Sequence, residues 1–180
     1  MDKYAGIVQK LVSLSIKLIA VDFDLTILNV HTHGNWQFTA KSLSSRVRPA
    51  FKQFLTAVLE CDQLHVAVVT QSPQVSLVRE VLEETLPQSN TGRIHIRGND
   101  GTWRAVKGVS KEGKQQHIES VLSQIKKEQK IKIKSSEVLL LDDDQKNIAS
   151  AQSSKMRTLH ITGDDSLDGL LELRECKSSL

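Results

Sequence analysis

The sequence predicts an α/β protein, a Rossmann-like doubly wound parallel sheet, and three observations carry that prediction. Short, almost wholly apolar runs recur at residues 18–21, 64–69 and 137–141, the pattern of parallel strands buried on both faces. Stretches with apolar residues at helical spacing separate them, as connections between parallel strands require. Each run also ends in polar side chains: Asp22 and Asp24, then Thr70, then Asp142 and Asp143. In open α/β sheets the carboxyl ends of the strands face the ligand crevice.

In chain order, residues 2–15 carry Ile7, Val8, Leu11, Val12 and Leu14 at helical spacing, with Asp2 placed to cap the helix. The first strand spans 17–22. Residues 27–39 are irregular, and Gly34 with Asn35 predicts the turn of a small β-hairpin flap beside the strand end. Ser44 or Ser45 caps a helix to about Glu60 that buries Val47, Phe51, Phe54, Leu55 and Val58, with Pro49 in its first turn. A second strand over 64–69 leads to a helix opened by Ser72 and Pro73. Residues 93–97 alternate as a third strand, and Asn99-Asp100-Gly101 predicts a turn with 102–106 returning as a hairpin. Lys114 starts a helix with Ile118, Val121, Leu122 and Ile125 inward. The acidic strand at 137–141, a helix from Gln145, a strand over 157–161 and a short helix from Ser166 complete the series. No repeat, linker or low-complexity tract divides the chain, so residues 1–180 are expected to form a single domain without a large cap.

At 180 residues, 39% hydrophobic and 25% charged, the chain has the composition of a globular protein with a substantial core. A net charge of +3 allows anionic partners without demanding nucleic acid. The lysines between Lys126 and Lys134 have no interleaved aromatics for stacking bases, so they read as a solvated face. Cys61 and Cys176 are far apart and read as free thiols in a reducing, cytoplasmic setting. Lys10 and Lys17 interrupt the apolar N-terminal stretch, so neither a signal peptide nor a membrane span is expected. A monomer is expected.

The polar strand ends, with a lysine at Lys114, supply what phosphoryl transfer to water requires. An ionised carboxylate can attack phosphorus. A hard cation such as Mg2+, held by carboxylates, offsets their repulsion with the phosphate. A second carboxyl serves as acid and base, and a hydroxyl and an ammonium hold the phosphate oxygens. Lys107 competes for the ammonium role, but Lys114 opens a helix. His31 and His33 offer too few ligands for zinc, and with Trp36 they are candidates for substrate contact. His65, His95 and His160 lie in apolar strand patterns and read as structural, and Cys61 has no base beside it. Asp144 reads as a helix cap or a solvated residue, with a metal role the lesser alternative. Trp103 covers the expected hairpin or meets a partner.

These residues resemble the haloacid dehalogenase (HAD) superfamily. DFDLT, VVT, GKQQHIE and VLLLDDDQKNI stand in the order of its four motifs, and the resemblance runs from Lys17 to about Leu171. It is similar in particular to the cap-less branch of the magnesium-dependent phosphatase 1 group, matched at Lys114, His117, Ile118, Glu119, Asp142, Asp143 and Asn147. The resemblance implies a phosphatase acting on a phosphate monoester through an aspartyl phosphate. Asp22 would be nucleophile and metal ligand. Asp24 would be general acid and base and would give its backbone carbonyl to Mg2+. Thr70 would bind the phosphate and Lys114 would neutralise it. Asp142 would ligate Mg2+ directly, and Asp143 would help through water or from behind the direct ligands. His117 would sit on the helix surface or behind the ligands. The family's dehalogenases lack an acid at the position of Asp24, so phosphate chemistry is implied. The expected substrate is a phosphorylated protein, sugar or other monoester. The alternatives are an idle phosphate-recognition scaffold and a nucleic-acid end-processing phosphatase. The stretch 90–113 and the basic tail KKEQKIKIK depart from the minimal pattern.

Overall fold

A computed structural model describes residues 2–174; Cys176 lies outside the described residues. The chain runs α1 (Lys3–Ser13), β1 (Leu18–Val21), α2 (Ala40–Ser44), α3 (Pro49–Leu59), β2 (His65–Val69), α4 (Val75–Thr85), β3 (Ile94–Arg97), α5 (Gln115–Gln129), β4 (Val138–Asp142), α6 (Gln145–Ser153) and β5 (Arg157–His160), and a 3₁₀ helix over Ser166–Glu172 follows. The five strands form one sheet in the order β3-β2-β1-β4-β5. Every neighbouring pair is parallel, with Leu18 opposite both His65 and Val138. The order reverses between β1 and β4, which makes their carboxyl ends a topological switch point.

Strand alternation sorts the core onto two faces. Ile19, Val21, Val66, Val68, Leu139 and Leu141 point to the side covered by α1, α3 and α4. Leu18, Ala20, Ala67, Val69, Val138 and Leu140 point to the other, under Ile118, Val121, Leu122 and Ile125 of α5 and Ala151 of α6. β1, the central strand, is buried on both faces and cannot alternate in polarity.

Four local expectations are corrected. Asp2 occupies the position before α1 but its side chain makes no capping bond. The helix expected from Ser44 or Ser45 to Glu60 starts later, at Pro49, with that proline in its first turn, and a separate short helix, α2, precedes it. Thr39 caps α2 by accepting the Ser42 N–H at 3.2 Å. Pro49 then opens α3, and the residue before it, Arg48, is extended, as proline requires (φ −63, ψ 129). The flap is not a hairpin: it holds a single antiparallel bridge, Leu28 to Val47. Its backbone groups are taken by other elements, since Gln74 accepts the Trp36 N–H at 2.7 Å and donates to the Trp36 carbonyl at 3.0 Å. The return hairpin at 102–106 is also absent. Asp100 accepts the Thr102 N–H and Gln116 accepts the Val106 N–H, so side chains replace a strand partner there. Among the described residues no helix is long and apolar enough to cross a membrane.

Candidate active site

The site is built by the strand ends at the switch point. β1 stops at Val21, and Asp22 follows in extended conformation (φ −71, ψ 160). The chain then folds into an irregular turn in which Leu25 takes a left-handed conformation (φ 57), costly for a side chain with a Cβ. The half-buried Arg48 guanidinium holds this turn by donating to the carbonyls of Leu25 at 3.3 Å and Thr26 at 3.1 Å. Asp22 and Asp24 thereby both line a cleft of about 420 Å³, with Thr70, Lys114, Asp142, Asp143 and Asn147.

Asp22 is 6% exposed and Lys114 3%, and the Lys114 ammonium donates to Asp22 Oδ1 at 2.7 Å. Lys114 is the residue before α5, so the helix start aims it across the sheet edge at β1. Thr26, one turn beyond Asp22, lies 3.4 Å from Asp22 Oδ2 and 3.2 Å from Asp143 Oδ1, so its one hydroxyl proton is shared between two carboxylates. Asp142 ends β4 wholly buried. Asn147 Nδ2 donates to both its oxygens at 3.1 Å, and the Asp144 N–H adds a bond at 2.9 Å. Oxygens of Asp22, Asp142 and Asp143 all lie within 4.8 Å of one another.

Burial pushes Asp22 up to about 7; Lys114 opposes the rise, and Asp142 and Asp143 add to it. Burial raises Asp142 as well, against Lys114, the Asp144 N–H and Asn147. Three carboxylates at such separation, with one lysine paired to Asp22, make a donor set suited to a hard divalent cation. Asp24 stands apart from this cluster. Its Oδ2 accepts the Thr32 hydroxyl at 2.9 Å and lies 3.3 Å from His31 Nδ1.

Thr70 is buried directly after β2. Its oxygen accepts the Ser72 N–H at 3.1 Å, which leaves its hydroxyl proton for a ligand. Gly98, after β3, is fixed against this loop. A Cβ there would lie 2.3 Å from the Ser72 carbonyl and 2.7 Å from Val75, and the Asn99 N–H donates to the same carbonyl at 3.1 Å.

The structure thus brings together Asp22, Thr70, Lys114, Asp142 and Asp143, and puts the Asp24 side chain beside that group rather than in it. Lys107 is exposed and lines no part of the cleft. His117 is buried, not on the helix surface. Its Nε2 shares a 2.9 Å hydrogen bond with Asn99, and burial, with Lys114 nearby, pushes it down to about 4. His160 Nε2 bonds the Asp143 carbonyl at 2.8 Å, fixing the loop after β4. Asp144 caps α6 through the Lys146 N–H. His31 and His33 stack at 4.3 Å at the cleft mouth. Trp103 folds onto His117 and donates to the Gly98 carbonyl at 2.7 Å. Sequence reasoning assigned no role to Thr26 or Thr32. Thr26 had a findable signal, its spacing of four from Asp22, whereas Thr32 reaches Asp24 only through an irregular loop.

Comparison with family models and with curated proteins gives no match. Among solved structures, the chain is similar to the HAD domain of the Legionella pneumophila effector protein Lem4, at 15% identity over 79% of this chain and 83% of that one, with a TM-score of 0.51. An inactive mutant of that domain aligns at 14% identity over 79% and 82%, with a TM-score of 0.52. A predicted HAD-like family hydrolase from Porphyromonas gingivalis aligns at 9% identity over 89% of this chain and 100% of that one, with a TM-score of 0.51. At these identities the likeness is one of architecture: the chain has the HAD-like fold, with no large cap among the described residues.

Proposed function

We propose that the chain is a magnesium-dependent phosphatase that hydrolyses a phosphate monoester through an aspartyl phosphate on Asp22. The observation that carries this reading is the buried Asp22 carboxylate, paired with Lys114 at 2.7 Å and clustered with Asp142 and Asp143 within 4.8 Å. Asp22, Asp142 and Asp143 would hold the ion, with the Asp24 backbone carbonyl as a further ligand. Bound there, Mg2+ would supply the positive charge that three acids and a phosphate need.

The chain's own residues do the rest. The Thr70 hydroxyl and Lys114 ammonium hold the phosphoryl oxygens. An Asp22 oxygen forms a bond to phosphorus while the bond from phosphorus to the leaving oxygen breaks. Asp24 gives that oxygen its proton. Water then attacks phosphorus, Asp24 takes the water's proton, and Asp22 is released as carboxylate. The separation of the Asp24 side chain from the acidic cluster supports this division of labour.

The cleft is uncapped, and a depression of about 450 Å³ lined by Asn99, Trp103 and Lys111 adjoins it at Gln71. That room favours a large leaving group. A nucleic-acid substrate is not supported. The basic run starts in the last turn of α5, at Lys126, and continues past it, on the order of 18 Å or more from the end that carries Lys114.

The test is release of phosphate from p-nitrophenyl phosphate with and without Mg2+. Turnover that needs Mg2+ and is lost in Asp22→Asn is expected. Phosphate binding without turnover would move the reading to a recognition scaffold.

A further inference from the structure

We infer that Thr32 is a positioning residue for Asp24, and that the turn 31–34 serves to present its hydroxyl. The inference rests on the phosphatase reading. Thr32 is 6% exposed although both its neighbours, His31 and His33, are exposed. Left-handed His33 (φ 56) and Gly34 (φ 65) turn the chain back on itself. The Gly34 N–H donates to Thr32 Oγ1 at 3.3 Å, so the hydroxyl proton is directed away from the turn, to Asp24 Oδ2 at 2.9 Å. A Cβ on Gly34 would stand 3.0 Å from Pro73, so the turn is seated on the loop that follows Thr70.

His31 Nδ1 approaches the same oxygen at 3.3 Å, but it accepts the His33 N–H at 2.9 Å and is not a donor while so engaged. Asp24 Oδ1 is buried without a hydrogen-bond partner. Among the described residues Thr32 is therefore the hydrogen-bond donor that fixes the Asp24 carboxyl.

A carboxyl that must give a proton to one oxygen and take one from water needs a fixed place relative to phosphorus. Removing the Thr32 hydroxyl leaves Asp22, Thr70 and Lys114 untouched. It should weaken the two proton transfers and spare the attack on phosphorus. The cost then depends on the leaving group, which loss of general folding or packing would not produce.

The experiment compares Thr32→Val and Thr32→Ser with the unaltered chain on p-nitrophenyl phosphate, whose leaving group needs little protonation, and on glycerol 2-phosphate, whose alkoxide needs a proton. Thr32→Val should lower single-turnover phosphoryl transfer from glycerol 2-phosphate about tenfold and leave that from p-nitrophenyl phosphate within about twofold. It should also accumulate phosphorylated protein after acid quench with p-nitrophenyl phosphate, because the water step lacks a placed base. Thr32→Ser should restore both. Thermal unfolding checks that the valine chain is folded, and Thr32→Ala is the second hydroxyl-free variant should it not be. Equal losses on both esters, no loss on either, or failure of serine to restore would overturn the inference and leave the phosphatase reading standing. An unaltered chain that turns over neither ester would overturn both.

Discussion

At the end of β4, Asp142 has both oxygens taken: Asn147 lies 3.1 Å from each and the Asp144 N–H 2.9 Å from one. At the end of β1, Asp22 has a strong partner on Oδ1, Lys114 at 2.7 Å, and only a shared 3.4 Å contact with Thr26 on Oδ2. Two aspartates at adjacent strand ends thus have opposite freedom. A carboxylate bound by neutral donors on both oxygens is oriented and only partly neutralised, which suits a ligand. One left with a weakly held oxygen is a candidate to form a new bond.

The sharpest way to break this comparison is at Asp22. Asp22→Asn should lower turnover by several orders of magnitude and yield no phosphorylated protein on acid quench, read by intact mass. Asp24→Asn should instead retain a slowly hydrolysing adduct with p-nitrophenyl phosphate. Equal turnover in both variants and the unaltered chain would remove Asp22 as nucleophile.

At the other strand end the expected loss is of metal. Asp142→Ala should abolish the rise in melting temperature that Mg2+ gives the unaltered chain, together with most activity. If Mg2+ dependence survived unchanged, the direct ligand would be Asp143. Asn147→Ala keeps the carboxylate and removes what orients it. A fall in Mg2+ affinity of about 10–100-fold is expected, with near-normal turnover at saturating metal. Calorimetric titration with Mg2+ measures it, and an unchanged affinity would refute the orienting role.

The mildest effect is on stability against pH. Burial raises Asp22 from its ordinary 3.8 to about 7, so folding favours its protonated form. Its contribution is then full below 3.8 and is lost as pH rises toward about 7. Asp142, raised in the same direction, adds to the loss. Without metal the melting temperature should therefore fall by a few degrees across that window, and the increment given by Mg2+ should grow with pH. An increment constant between pH 5 and pH 8 would contradict the picture.

The sheet and the acidic cluster were legible because both are written in local patterns. An apolar run ending in charge announces itself, as at Ala20-Val21-Asp22 and Leu140-Leu141-Asp142. Lys114 was legible from its place at a helix start. The two hairpins were not found, because Gln74 and Gln116 take backbone groups that a strand partner would have used. No short-range signal reports a glutamine 38 residues away. The helix expected from Ser44 or Ser45 was right to hold Pro49 in its first turn but was started a few residues early, since Arg48, before the proline, is extended. The burial of His117 escaped for a related reason: its cover is Trp103, on a loop whose path the sequence does not reveal.

The tight seat of Gly98 against the Ser72 carbonyl has a consequence for anyone rebuilding the protein. It divides the stretch between β3 and α5 into a fixed root and a variable crown. Gly101 and Gly108, which have open space around a Cβ, lie in the crown, where inserted residues would project into solvent. New recognition segments can be grafted there while Thr70, after β2, and Lys114, before α5, keep their places. The same insertion one residue before Asn99 would drive the chain into the phosphate-side loop.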